Sequence, residues 1–253
     1  MRAYREFEPP SDLVAIVQCL WTHETDGAEP GYRVLPDGCA DILFIRENGE
    51  PQRLDVIGTM TRAQRFDLPA RRMTIALRFR PGMAALGLRV PANELTDAAI
   101  PLDDLLGSRV RETRERLQEA RTIAQHFSAL RRLLPSTPAI QPVHRAIQFL
   151  AAAPSDLPIE ALAAMANLSP RQFRRVCHCE TGLTPKRFAR VMRFCSTLER
   201  LRRRPSLDWA GLAAECGYYD QAHLINEFQE LADVSPARLA AEMSVFSNTA
   251  LSA

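Results

Sequence analysis

The first hundred residues alternate between short apolar runs and turn-forming residues. The runs LVAIVQCLW, ADILFI, RLDVIG and MTIALRF, at 13–21, 40–45, 53–58 and 73–79, favour β-strands. PDG, ENG and RPG, at 36–38, 47–49 and 80–82, are typical turn sequences. Several short strands joined by turns predict a small sandwich or barrel. We assign this β-rich domain, a candidate for effector binding, to residues 1–102.

The pattern changes after Pro101. Apolar residues between Leu105 and Leu134 recur at intervals that place them on one side of a helix, with Arg and Glu between them. This pattern predicts a helical connector at residues 103–138. Its apolar stripe must be buried against something, so we expect a dimer contact or an interdomain hinge there. The segment LLPSTPAIQP marks a linker near residues 135–141.

Two segments of the C-terminal region repeat each other at a constant offset of 51 residues, so that Phe173 corresponds to Leu224 and Cys177 to Phe228. Each segment opens with Leu-Ala-Ala, then has a short turn, a Ser or Asp cap, a second amphipathic helix, and Thr-Pro or Ser-Pro. Two helices of about ten residues joined by a short turn form a helix-turn-helix unit. We therefore predict an all-α domain with two such units at residues 139–246, followed by a tail at 247–253. The predicted fold class is α+β with two domains.

Positive charge is concentrated in the first of these units and in the helix that follows it. The chain has a formal net charge of only +2, but residues 169–204 contain eleven Lys or Arg and two acids. Arg171, Arg174 and Arg175 share one face of a helix whose opposite face is apolar. Guanidinium groups bind guanine edges and phosphates with paired hydrogen bonds, so this face predicts binding to double-stranded DNA. The alternatives are an ordinary solvated helix face, or an adaptor that binds a protein partner.

Residues 139–246 resemble the DNA-binding domain of the AraC/XylS transcription regulators. The motifs that carry the resemblance are FRRVC in the first unit, LAAECGYYDQAHLINEF in the second and VSPARL at the end. The resemblance implies a sequence-specific regulator in which a rigid linker helix, at about 185–203, places two recognition helices in successive major grooves. The family's base-facing positions correspond here to Arg171, Arg174, Arg175, Gln221, Ala222, Ile225 and Asn226. We add the following residues to the expected DNA contacts: Gln172, Lys186, Arg187, Arg190 and His223.

The second unit departs from the family pattern. Asn226 stands where the family usually has Arg, and Gln229 where it usually has Lys. Residues 205–253 contain one basic residue, Arg238, against seven acids. We therefore expect the first unit to supply most of the affinity for phosphates and the second to contribute weaker base readout. His223 is as well suited to capping or packing as to a DNA contact.

The N-terminal half resembles a domain of unassigned ligand that precedes the DNA-binding region in one branch of this family. The resemblance rests on RVLPDGCADILF, VIGTMT and residues 77–107. Related regulators have a cupin-like barrel that binds a small molecule and a helical pair that makes a homodimer, so we expect both here. The candidate effector-binding residues are Trp21, Arg33, Asp37, Asp41, Arg78 and Arg80. They suit an anionic or aromatic effector, and they would equally serve as salt bridges within the sheet.

Other functions are disfavoured by the composition. Before residue 126 the only histidine is His23, so a metal-dependent cupin enzyme is not expected, and we predict no metal and no cofactor. Cys39 is an alternative candidate, as a redox sensor or an alkyl acceptor, but Asp37 and Asp41 beside it would raise the thiol pKa. No apolar run is long enough to span a membrane and the N-terminus lacks a secretory signal, so we expect a cytoplasmic protein.

Overall fold

The structure is a computed structural model that describes residues 3–136, 139–154, 158–203 and 208–245. Within these residues eight strands precede most of the helices. The strands are β1 (Ala3–Phe7), β2 (Val17–Thr25), β3 (Glu29–Val34), β4 (Asp41–Glu47), β5 (Glu50–Ile57), β6 (Gln64–Leu68), β7 (Arg72–Phe79) and β8 (Ala99–Pro101). The helices are α1 (Ala84–Leu88), α2 (Leu102–Leu106), α3 (Arg111–Glu119), α4 (Ile123–Arg131), α5 (Pro142–Ala152), α6 (Ile159–Met165), α7 (Pro170–Thr181), α8 (Pro185–Arg203), α9 (Trp209–Glu215), α10 (Gln221–Ala232) and α11 (Pro236–Val245).

The strands form an open antiparallel sheet of order β1-β2-β7-β4-β5-β8 and a two-stranded sheet of β3 and β6. Alternation along β7 gives the large sheet two different faces, because Ile75 and Leu77 are buried in an apolar core while Thr74 and Arg78 point to the opposite side. The predicted β-rich N-terminal domain is confirmed. Its two sheets face each other, and the six-stranded sheet does not close on itself as a barrel.

Connector helices α2 to α4 cover the apolar face of the large sheet. Leu106, Leu117 and Leu130 belong to the same buried cluster as Ile42 and Phe44 of the sheet. The apolar stripe of the connector is thus buried within its own chain, which removes the reason for expecting a dimer contact there. A homodimer stays a prediction without support from this stripe.

The described residues of the C-terminal domain form seven helices, α5 to α11, and the duplication of the domain is visible in the backbone. Helix α7 is followed by Gly182 and helix α10 by Asp233, and both of these capping residues are in the left-handed conformation, with φ of 76° and 60°. These two positions are 51 residues apart, the offset of the sequence repeat. The buried aromatic side chains of this core include Phe173 and Phe228.

The two domains contact each other along several backbone groups. The Thr96 hydroxyl donates to the carbonyl of Gly182 at 2.9 Å, and the amide of Ala63 donates to the carbonyl of Leu231 at 2.7 Å. The ends of both second helices, α7 and α10, are therefore held by the N-terminal domain.

Candidate nucleic-acid interface and effector cavity

Helices α6 and α7 form the first helix-turn-helix unit, and a capping box fixes where α7 begins. The Ser169 hydroxyl accepts from the amide of Gln172 at 3.3 Å, and the Gln172 side-chain oxygen accepts from the amide of Ser169 at 2.9 Å. The side-chain oxygen of Gln172 thus has a structural role. A DNA contact from its remaining NH₂ group stays a prediction.

The predicted arginine face of α7 points away from the protein core. Phe173 and Cys177 are fully buried, whereas Arg171, Arg174 and Arg175 are exposed on the other side of the helix. Within the described part of the chain, none of these three arginines is in an ion pair. Three uncompensated guanidinium groups therefore lie together on a helix with a fixed start.

Helix α8 joins the two units, and its basic residues fall into two groups. Lys186 and Arg187, in its first turn, are exposed. Arg190 instead donates to Glu227 at 3.0 Å and to Glu230 at 2.6 and 3.1 Å. The hydrogen bond with Glu230 raises the pKa of Arg190. Arg190 thus connects α8 to α10, and a DNA contact from it stays a prediction.

In the second unit, formed by α9 and α10, the cap of the second helix is Asp220. Its carboxylate accepts from the amide of His223 at 2.7 Å, and Nδ1 of His223 accepts from the amide of Tyr219 at 3.3 Å. The His223 ring also lies edge-on to Tyr218, with the ring centroids 5.4 Å apart. His223 therefore has the capping and packing role that the sequence allowed, and its contact with DNA is untested.

Gln221 and Asn226, two of the predicted DNA contacts on α10, are exposed. Tyr219, in the turn before this helix, is 92% exposed, although it was not among the predicted contacts. Its only signal in the sequence was the second tyrosine of GYYD, which periodicity does not distinguish from a core residue.

A cavity of about 770 Å³ lies between the polar face of the large sheet and the β3–β6 sheet. Five of the six predicted effector residues line this cavity: Trp21, Arg33, Asp37, Asp41 and Arg78. The sixth, Arg80, does not line it. The strand β7 ends at Phe79, so the alternation stops there, and Arg80 donates to the carbonyl of Val14 at 2.6 Å.

Asp41 is the centre of a polar cluster in the cavity wall. It accepts from Trp21 Nε1 at 2.7 Å and from Arg78 Nε at 3.1 Å, and Arg78 lies 3.7 Å from Asp37. Burial raises the pKa of Asp41, and the positive charge of Arg78 opposes this effect. These residues form the salt bridge that the sequence offered as an alternative, and they also face the cavity.

Several cavity residues were missed. On the sheets they include Tyr4, His23, Tyr32, Arg53, Asp55, Arg72 and Thr74. The alternation in MTIALRF was a signal for Thr74, but no sequence pattern placed the C-terminal residues Arg202, Arg238 and Glu242 beside the sheet.

One wall of the cavity thus belongs to the C-terminal domain. Arg33 of β3 lies 2.5 Å from the carboxylate of Glu242 in α11, and Arg238 donates to the same carboxylate at 3.2 Å. The two domains therefore share an ion cluster at the edge of the cavity.

Three further features of the described residues concern metal binding, membrane-spanning helices and the reactivity of Cys39. In the described residues no cluster of three or more His, Cys, Asp or Glu is placed to hold a metal ion, and no helix is long and apolar enough to cross a membrane. Burial raises the pKa of Cys39 well above its usual value, and Asp37 raises it further.

Comparison with known proteins identifies the class of the C-terminal region. Residues 162–242 match a family described as a helix-turn-helix domain, so the chain is a DNA-binding transcription regulator. The domain is of the AraC type. Residues 5–101 match a family described as a domain of unknown function (DUF6597). No protein of curated function matches the sequence.

Among solved structures, the DNA-binding domain of AdpA in complex with a target DNA is 23% identical over 42% of this chain and 96% of that one, with a TM-score of 0.38. ToxT from Vibrio cholerae O395 is 8% identical over 88% of this chain and 95% of that one, with a TM-score of 0.43. A second structure of ToxT, with unsaturated fatty acid bound, is 9% identical over 87% and 93%, with a TM-score of 0.41.

Proposed function

We propose that this protein regulates transcription by binding duplex DNA through both helix-turn-helix units, and that a small molecule in the interdomain cavity changes this binding. The main support for DNA binding is the arginine face of α7. Its three arginines are exposed and form no ion pair in the described part of the chain, and a capping box fixes the start of the helix. Each arginine on such a face can bind a phosphate or the O6 and N7 atoms of guanine.

The first unit supplies most of the DNA affinity in this proposal, because its exposed side chains carry the positive charge. We expect Arg175→Ala to weaken binding at least tenfold, and Asn226→Ala to weaken it less than threefold. The measurement is fluorescence anisotropy with a duplex selected from a random pool, repeated at several salt concentrations. If Arg175 binds a phosphate, Arg175→Ala also makes the salt dependence of log K shallower by about 0.9.

The matched control is Arg109→Ala, which removes an exposed arginine of the connector. It leaves binding unchanged if the effect of Arg175 is local. Equal losses for Arg175→Ala and Asn226→Ala would contradict the asymmetry, and the absence of any sequence preference at moderate salt would contradict the DNA-binding role.

The effector half of the proposal is supported by the shared cavity. Seven arginines and four carboxylates line it, an excess of positive charge that favours an anionic ligand. The Arg33–Glu242 pair with α11 lies in the cavity wall, so a ligand in the cavity lies beside the contacts that hold the DNA-binding domain and changes them.

The test is to repeat the anisotropy titration with and without candidate metabolites, and with Glu242→Gln in the absence of ligand. We expect both occupancy and Glu242→Gln to change the affinity for DNA. If no ligand and no substitution at Glu242 or Arg33 changes it in a folded protein, the cavity is not a regulatory site.

The proposal also includes the cellular location, the binding partners and the oligomeric state of the protein. We place the protein in the cytoplasm, with duplex DNA and a small molecule as its partners. A homodimer is tested by light scattering of the purified protein with and without DNA.

A further inference from the structure

Strand register arranges the cavity floor in rows of neighbouring side chains. Directly paired residues of an antiparallel sheet lie on the same face, about 5 Å apart. Two such rows are Tyr4–His23–Thr74–Ile45–Arg53 and Trp21–Ala76–Leu43–Asp55. Aromatic residues therefore occupy one side of the floor, small or aliphatic residues its centre, and charged residues the other side.

The aromatic side forms a continuous wall. The ring centroids of Tyr4 and Trp21 are 5.7 Å apart, and those of Tyr4 and His23 are 6.5 Å apart. Tyr32, from the opposite sheet, brings its ring centroid to 5.4 Å from that of His23. Rings at these distances offer faces and edges to a further flat ring. Leu43 and Ile45, in the centre of the floor, add aliphatic lining beside these rings.

Arg72 differs from the other arginines of the cavity. The others have a carboxylate partner, in the pairs Arg33–Glu242, Arg53–Asp55, Arg65–Asp233, Arg78–Asp41, Arg202–Glu199 and Arg238–Glu242. Arg72 donates from Nε to the Thr74 hydroxyl at 3.3 Å and forms no ion pair among the residues that the structure describes. Glu47 is its register partner in β4 but is not within ion-pair distance.

The environment of Arg72 is unfavourable to its charge. Burial lowers the pKa of Arg72, and the attraction of Glu47 does not offset this effect. A half-buried cation with unused N–H donors is stabilised when an anion enters beside it, because the new hydrogen bonds are charge-assisted.

We infer that the cavity binds a flat aromatic molecule with an anionic group, with its ring against Trp21, His23 and Tyr32 and its anionic group on Arg72. Thr74 is the register partner of His23, and Arg72 is two residues from Thr74 along β7. At the rise of a strand, Arg72 is therefore about 7 Å further along the sheet than the row that contains His23. This distance suits a carboxylate attached to the ring directly or through a short chain. The cavity volume of about 770 Å³ is in the range of small-molecule sites.

The inference rests on the proposed function, since it assigns the ligand class of the same cavity. The test uses 2-naphthoate as the probe, with the purified full chain, and measures binding by calorimetry and by the change in tryptophan fluorescence. We expect Arg72→Gln to weaken 2-naphthoate at least tenfold, and Arg109→Gln, outside the cavity, to change it less than twofold. The neutral isostere 2-naphthamide binds more weakly than 2-naphthoate, and Arg72→Gln does not weaken it further.

The aromatic part is tested separately. Benzoate binds more tightly than cyclohexanecarboxylate, which has the same charge and a similar size, and Tyr32→Leu removes most of this preference. Equal binding of the two anions overturns the aromatic part. Unchanged binding of 2-naphthoate to Arg72→Gln overturns the assignment of the anionic group to Arg72. If no aromatic anion binds at millimolar concentration, both the aromatic part and the Arg72 part of the inference are overturned.

DNA affinity measured in parallel separates this inference from the proposed function. 2-Naphthoate could bind through Arg72 while neither it nor any other ligand changes the affinity for DNA. That result would support the ligand site and contradict the regulatory role of the cavity. If DNA affinity responds to a ligand of another chemistry and Arg72→Gln has no effect on it, the regulatory role stands and this inference fails.

Discussion

Replacing Glu227 by glutamine tests whether an ion cluster holds the second helix-turn-helix unit to the linker helix. The Glu227 side chain is 1% exposed, and both of its oxygens accept hydrogen bonds from arginines of α8. Arg190 donates at 3.0 Å, and Arg193 donates at 2.6 and 3.1 Å. Arg193 also lies over the ring of Tyr218, at 4.5 Å from its centroid. The substitution removes the negative charge at the centre of this group.

The expected loss is large because the remaining arginines keep their charge. Removing one partner of a buried ion pair costs about 3–5 kcal/mol. Arg190 and Arg193 are partly exposed, and glutamine keeps one acceptor, so we expect Glu227→Gln to lower the free energy of unfolding by about 2–3 kcal/mol. For a domain of about one hundred residues, the loss lowers the melting temperature by roughly 8–24 °C.

The control is Glu230→Gln, which removes the other carboxylate that Arg190 binds. Glu230 is 60% exposed, and a solvent-exposed pair contributes at most about 1 kcal/mol. Urea unfolding of the two variants and the parent, followed by circular dichroism, gives the comparison. Equal losses for the two variants, or a loss below about 1 kcal/mol for Glu227→Gln, would show that burial of this carboxylate does not hold α10 to α8.

Three other substitutions test the N-terminal domain. Gly58→Ala should lower the free energy of unfolding by about 3 kcal/mol or more, because a Cβ there would lie 1.7 Å from the carbonyl oxygen of Leu95, whereas Gly27→Ala has open space and should be nearly neutral in the same urea titration. Burial lowers the pKa of His126 in the folded chain, while the unfolded side chain protonates near pH 6.5, so stability falls as the pH decreases through that value; His126→Gln should flatten this dependence between pH 7 and 5. Since burial raises the pKa of Cys39, its thiol should react slowly with iodoacetamide, and a changed reporter output in Cys39→Ser would revive the sensor hypothesis.

The helical domain was predictable because its determinants are local. Caps such as Ser169 and Asp220 lie within three residues of the amides they bind, and the offset between the two units is readable along the chain. The exposure of the arginine face follows from the burial of Phe173 and Cys177 on the other side of one helix. None of these features depends on how the two domains contact each other.

The role of Arg190 was not predictable in this way. Sequence shows a basic residue on the linker helix, but its partners Glu227 and Glu230 come from a helix about forty positions later. Their proximity depends on how α8 and α10 cross. The cavity is a similar case, because Arg238 and Glu242 reach it only through the docking of α11 against the N-terminal sheets.

This docking decides which half of the DNA-binding domain an effector can influence. The cavity contacts α11 and the end of α8, and it has no lining residue from α7. The second unit has a single basic residue in its region of the sequence, Arg238, and that residue is paired with Glu242. Recognition of DNA bases by the second unit therefore depends on neutral groups such as Gln221 and Asn226. The hydrogen bonds of such groups break with small displacements. Attraction between arginines and phosphates decreases more gradually with distance. An effector that displaces Glu242 should therefore change sequence preference through the second unit more than it changes the electrostatic affinity supplied by the first.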